Sequence, residues 1–206
     1  MIFSPPIDIK LTKLRCAGEP RAHPLHFSDD GKFKILQVAD LHYSVSEGSC
    51  RDVDKSVLPE FLSSLGTDPC NGDTLTRSLL AHTLAEEKPS LVVFTGDQLN
   101  GQTTSWDAQS VMLKAISEVV DAKIPWAIVF GNHDDENTDL SRSEQMRLFT
   151  RMPYAVREME EGPSWVDGVG NWLVEVKSAD TYVPCCPFFL SSWTDICINV
   201  AQQLIF

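Results

Sequence analysis

The stretch 126–135, Trp-Ala-Ile-Val-Phe-Gly-Asn-His-Asp-Asp, constrains what this chain can fold into more than any other. Residues 126–130 are apolar and read as a buried strand. Gly131 halts the run, and Asn132, His133, Asp134 and Asp135 follow at once. These four can bind metal or move protons, and in α/β folds such residues gather where strands end. Polar turns favour the same residue types, so the stretch alone leaves both readings open.

Two earlier stretches repeat the arrangement. Residues 33–39, Phe-Lys-Ile-Leu-Gln-Val-Ala, predict a strand that runs into Asp40-Leu41-His42. Alternation along an extended chain places Asp40 and His42 on one side. Residues 90–95, Ser-Leu-Val-Val-Phe-Thr, predict a second strand, apolar on both faces as in a covered parallel sheet. It is followed directly by Gly96-Asp97. Residues 74–87 between these strands read as a helix, with Leu75, Leu79 and Thr83 on one face and Leu80 and Leu84 beside it. Asp73 is the expected cap, and Pro89 ends the helix. A second helix carries Ala108, Val111, Met112, Ala115, Ile116 and Val119 at a spacing of about 3.6 residues, with Ser105 as a candidate cap. This stripe is core, so Met112 has no cofactor role. The strand–helix–strand order predicts right-handed βαβ crossovers. Three polar clusters then leave the same edge of one sheet.

The remaining chain is less ordered in pattern. Residues 1–32 form an extension rich in Pro, Gly and charge, with a possible edge strand at Ile7-x-Ile9-x-Leu11. His23, His26 and the helical His82 read as solvent-facing or structural histidines, not ligands. A short helix is possible over 56–65. Residues 140–152 predict a helix, with Ser141 and Glu144 at capping-box spacing. Residues 171–176 predict a strand with Trp172, Val174 and Val176 on one face. The domain is therefore drawn over 33–178. Residues 179–206 form an atypical tail, where Cys185-Cys186-Pro187-Phe188-Phe189-Leu190 has no clear period.

Composition limits the alternatives. Lys and Arg total 17 against 29 Asp and Glu, a net charge of −12. That opposes a general nucleic-acid surface, although cations held locally would still attract phosphate. No secretory leader or membrane span is visible, which gives a cytoplasmic expectation by default. The six cysteines contain no C-x-x-C pair; Cys50 and Cys70 would bridge only in an oxidising compartment. Neither a phosphate-binding G-x-x-x-x-G-K-[ST] nor a nucleophilic G-x-S-x-G occurs.

Carboxylates, an imidazole and an amide carbonyl suit Mn, Fe or Zn. Two ions about 3.5–4 Å apart could share Asp97, acidify a water and clamp phosphoryl oxygens. In this ordered set, Asp40-x-His42, Gly96-Asp97 and Gly131-Asn132-His133-Asp134, the chain resembles the calcineurin-like metallophosphoesterase superfamily. The wording around the motifs is similar to the fungal and plant branch near the purple acid phosphatases, as are Pro125-Trp126 and Val166-Asp-Gly-Val-Gly-Asn171. The resemblance covers residues 33–178 and implies part of a two-sheet α/β/β/α sandwich. It implies that Asp40 and His42 bind a first metal, that Asp97 bridges, and that Asn132 binds a second metal and touches phosphate. His133 would stand near the leaving oxygen as general acid or positive donor, contacting phosphate, with Asp134 as its neighbour in the chemistry.

The chain also departs from that pattern. Where protein phosphatases of the family place an aspartate three residues beyond the bridging one, this chain has Asn100, which carries no charge. The family completes its metal shell with later histidines, and here none follows His133. The expectation is an incomplete family member with at most partial metal occupancy. The leading function is hydrolysis of a phosphoric ester, a monoester before a diester, on a small molecule or phosphoprotein. The alternatives are a non-catalytic domain binding one ion, a phosphorylated ligand or a partner protein, and a structural α/β domain whose strand ends merely turn.

Overall fold

A computed structural model describes residues 24–46, 71–100, 106–156, 159, 166–179 and 184–190. The possible strand at Ile7–Leu11, His23, the helix at 56–65, the Cys50–Cys70 pair and residues 196–206 lie outside the described residues. Among those described, the order is β1 (Ile35–Val38), α1 (Gly72–Glu87), β2 (Leu91–Thr95), α2 (Ala108–Asp121), β3 (Trp126–Val129), α3 (Arg142–Phe149), β4 (Trp172–Lys177) and β5 (Pro184–Leu190).

The first three strands form a parallel sheet in the order β1-β2-β3. Val38 pairs with Phe94, and Thr95 with Val129, so the three strands stop nearly level. Levelled ends bring the three polar turns to one edge, as the βαβ reading requires. Strands β2 and β3 are buried except at Thr95, whereas β1 is half exposed. The continuous apolar runs of β2 and β3 reflect cover on both faces.

The stripe on α2 is buried as predicted, from Ala108 to Val119. Its cap is Asp107, whose side chain accepts from the Ser110 N–H, and not Ser105. Helix α1 also differs from expectation. Asn71 caps it, accepting from the Thr74 N–H at 2.9 Å, while Asp73 lies buried in the first turn. There Asp73 accepts from Lys114 Nζ at 2.7 Å, and the same ammonium donates to the Ser44 carbonyl at 2.6 Å. The buried face of α1 carries Asp73, Leu80 and Leu84, and Leu79 is exposed. Helix α3 has the predicted capping box, with Ser141 and Glu144 satisfying each other's N–H groups.

On β4, Trp172, Val174 and Val176 are buried and the residues between them face outward. Trp172 Nε1 donates to the Ile128 carbonyl at 3.1 Å, which fastens this strand to β3. The apolar segment after residue 178 contributes β5, antiparallel to β4. Its irregular pattern fits a strand in a two-stranded sheet, where proline is tolerated because an edge needs no donor.

Candidate metal centre

The turns after β1 and β2 continue to bond to each other beyond the strands. Asp40 N–H donates to the Gly96 carbonyl at 3.1 Å, His42 N–H to Asp97 at 3.0 Å, and Tyr43 N–H to Gln98 at 2.9 Å. Asp40, His42 and Asp97 all have left-handed backbones, with φ of 57°, 46° and 55°. Such angles are uncommon for residues other than glycine, though Asp and His accept them more readily than most. The three side chains converge at this edge, with Asp40 exposed and His42 and Asp97 half-buried. One ligand atom from each of Asp40, His42 and Asp97 lies within 4.8 Å of the others. His42 Nε2 is 3.5 Å from an Asp40 oxygen. Asp40 and His42 therefore converge as expected, but by paired left-handed turns, not by alternation along an extended strand.

The third turn is locked to the second. Gly96 and Gly131 face each other so closely that a Cβ on Gly96 would stand 2.7 Å from the Gly131 nitrogen. A Cβ on Gly131 would stand 2.6 Å from the Asp97 nitrogen. His133 N–H donates to Asp97 Oδ1 at 2.9 Å, which joins the histidine turn to the expected bridging carboxylate.

Asp134, expected to share the chemistry of His133, sits behind these turns and is fully buried. Its Oδ2 accepts from the N–H groups of Gly131 at 2.7 Å and Asp97 at 2.9 Å. Its Oδ1 accepts from Gln98 at 2.8 Å and Leu99 at 3.1 Å. Burial pushes the Asp134 carboxyl above the ordinary carboxylate value, and these four donors pull against that rise. The side chain is thus a strut between two turns. Arg142, at the start of α3, braces the same turn by donating to the Gly131 carbonyl at 2.7 Å and to Asp135 at 3.0 Å.

His133 is partly exposed, and its ring centroid is 5.4 Å from that of His42. Its Nδ1 lies 2.6 Å from Glu136 Oε2. That hydrogen bond raises the His133 pKa above 6.5; partial burial opposes the rise, and the charges of Asp97, Glu136 and Asp134 add to it. Reading the sequence missed Glu136. Its signal was the three-residue spacing from His133, closed by a Glu136 N–H to His133 carbonyl bond of 3.3 Å. Asn132 is exposed between Gly131 and His133. Asn100 is held in the extended ladder, its N–H donating to the Tyr43 carbonyl at 2.9 Å. His26 and His82 are exposed, as expected.

Two carboxylates and one imidazole converging at the end of a parallel sheet match the donors a transition metal takes. The donor set fits one ion. Among the described residues, this is the group of three His, Cys, Asp or Glu side chains whose ligand atoms come together. Donors gathered after successive strands of a parallel α/β sheet are in the layout of a metal-binding strand-end site.

The calcineurin-like phosphoesterase family matches residues 33–200, and the chain belongs to that family. It is 39% identical over 166 residues to Phosphatase DCR2 of Saccharomyces cerevisiae, covering 79% of this chain and 27% of that protein. It is 38% identical over 188 residues to Probable inactive purple acid phosphatase 28 of Arabidopsis thaliana, covering 86% of this chain and 44% of that one. Probable inactive purple acid phosphatase 14 of the same plant is 34% identical over 157 residues, with 74% and 36% covered. The chain thus spans less than half the length of these curated relatives. The fungal and plant relationship expected from the motifs is borne out. Among the described residues, no helix is long and apolar enough to cross a membrane.

Proposed function

We propose that the Asp40–His42–Asp97 centre takes a transition metal ion, Mn, Fe or Zn, in the service of phosphoric ester hydrolysis. The observation that carries this reading is the convergence of three ligand atoms within 4.8 Å, with the His133 ring beside His42. When bound, such an ion would supply an acidified water and polarise a phosphoryl oxygen. Asp40 and His42 would hold it on the β1 side and Asp97 from β2. Asn132, exposed on the adjoining turn, would direct its amide toward phosphate and toward any second ion. His133, favoured in its protonated form by Glu136, would offer a proton or positive charge to the leaving oxygen. Asp134 keeps the two turns in register and takes no part in proton transfer. The substrate would be a phosphomonoester, on a small molecule or on a protein.

A second reading is supported by the three-ligand cluster among the described residues, which suits a single ion. In it the chain binds one ion or a phosphorylated ligand without turnover, and the word "inactive" in the plant relatives' names is in keeping with this. Metal content per chain, measured with hydrolysis of an aryl phosphate, separates the two. Two ions and turnover abolished by Asp97→Asn would support hydrolysis. One ion without turnover would favour binding alone, and failure to take up any transition metal would overturn the metal-centre reading and leave only binding of a phosphorylated ligand.

A further inference from the structure

We propose that Glu136 is a positioning residue for His133, fixing which ring nitrogen faces the metal centre. An imidazole offers two nitrogens, and in its neutral form one donates while the other accepts. A carboxylate can only accept. With Glu136 Oε2 at 2.6 Å from Nδ1, the proton is held on Nδ1, and Nε2 is the nitrogen left for substrate. The turn makes this possible, since the Glu136 N–H returns to the His133 carbonyl and brings the acid back beside the ring it follows by three residues. The opposite side of the arrangement is equally constrained. His133 N–H is tied to Asp97 Oδ1 at 2.9 Å, so the backbone that carries the ring cannot drift from the centre. The ring is thereby anchored twice, through its backbone to one carboxylate and through Nδ1 to another.

A surface ion pair closing a turn would show the same 2.6 Å contact but would leave the ring free to exchange tautomers. The two cases differ in a measurable way. Histidine side-chain ¹⁵N spectra of the full chain, recorded after chelation and at a pH where the ring is neutral, report the tautomer directly. In the native chain Nδ1 should appear protonated and Nε2 unprotonated, by about tenfold or more, a ratio one charge-assisted hydrogen bond sustains. Glu136→Gln, which can either donate or accept, should weaken that preference, and Glu136→Ala should abolish it. Because Glu136 is exposed, neither change should unfold the chain, and backbone amide spectra check this. Equal tautomer ratios in the native and Glu136→Ala chains, or a native ring protonated on Nε2, would overturn the proposal. Its catalytic meaning rests on the hydrolase reading. There Glu136→Ala should lower kcat at least tenfold with KM little changed. Absence of turnover in the native chain would count against hydrolysis alone, since the tautomer readout decides Glu136 independently.

Discussion

Asp134→Asn changes no shape and one pattern of donors. Each carboxylate oxygen accepts two backbone N–H groups, from Gly131 and Asp97 on one side and from Gln98 and Leu99 on the other. An asparagine has one carbonyl oxygen, so whichever way it sits, its NH₂ must face two N–H donors. Two hydrogen bonds to a charged acceptor are lost, each worth about 1.5–3 kcal/mol. The gross loss is therefore about 3–6 kcal/mol, offset in part because a neutral amide is cheaper to bury than a carboxylate. A net destabilisation of about 3 kcal/mol is expected, a large fraction of the roughly 5–15 kcal/mol that holds a domain together. Urea unfolding should show a lower midpoint with an unchanged slope. Since the strut joins the turns of Asp97 and His133, transition-metal affinity should also fall, although Asp134 is not a ligand. An asparagine variant as stable as the parent, or more stable, would show that burial outweighs the four donors, and the strut argument would fail.

Gly131→Ala should disturb the centre more than the fold, because the new methyl meets the Asp97 backbone and side chain. Metal uptake should drop by tenfold or more in a calorimetric titration while the far-ultraviolet dichroism is retained. Lys114→Met removes the partner of buried Asp73 and should lower stability by about 3–5 kcal/mol, read from denaturant midpoints. Glu144 has its carboxyl lowered below 4.5 by the Ser141 hydroxyl and N–H. Its capping contribution should be full above about pH 4.5 and drain away as pH falls through the lower folded value. Thermal midpoints followed against pH should show that decline in the native chain and lack it in Glu144→Gln.

Much of this architecture was legible in the letters because the relevant interactions are local. Periodicity placed the α2 stripe, and the capping box marked the start of α3. Continuous apolar runs exposed β2 and β3, and the residues immediately after the strands named Asp40, His42 and Asp97. What escaped depends on partners far along the chain. Asp73 has the sequence position of a cap, but its partner, Lys114, stands 41 residues away. Asp134 looked catalytic because it follows His133, whereas its contacts are with 97–99 and 131. Glu136 was hidden because a three-residue spacing outside a helix has no fixed geometry. Strand β5 was hidden because prolines interrupt its pattern and pairing with β4 alone defines it.

The left-handed backbone at Asp40, His42 and Asp97 has a practical consequence for probing the proposed centre. Alanine there keeps the conformational penalty while deleting the ligand, so two effects arrive together. Glycine lifts that penalty, and a lost cation could then reflect a slackened turn instead of a missing carboxylate. Asparagine tolerates the same angles and keeps the outline of aspartate, which makes it the substitution that reports on charge alone at positions 40 and 97.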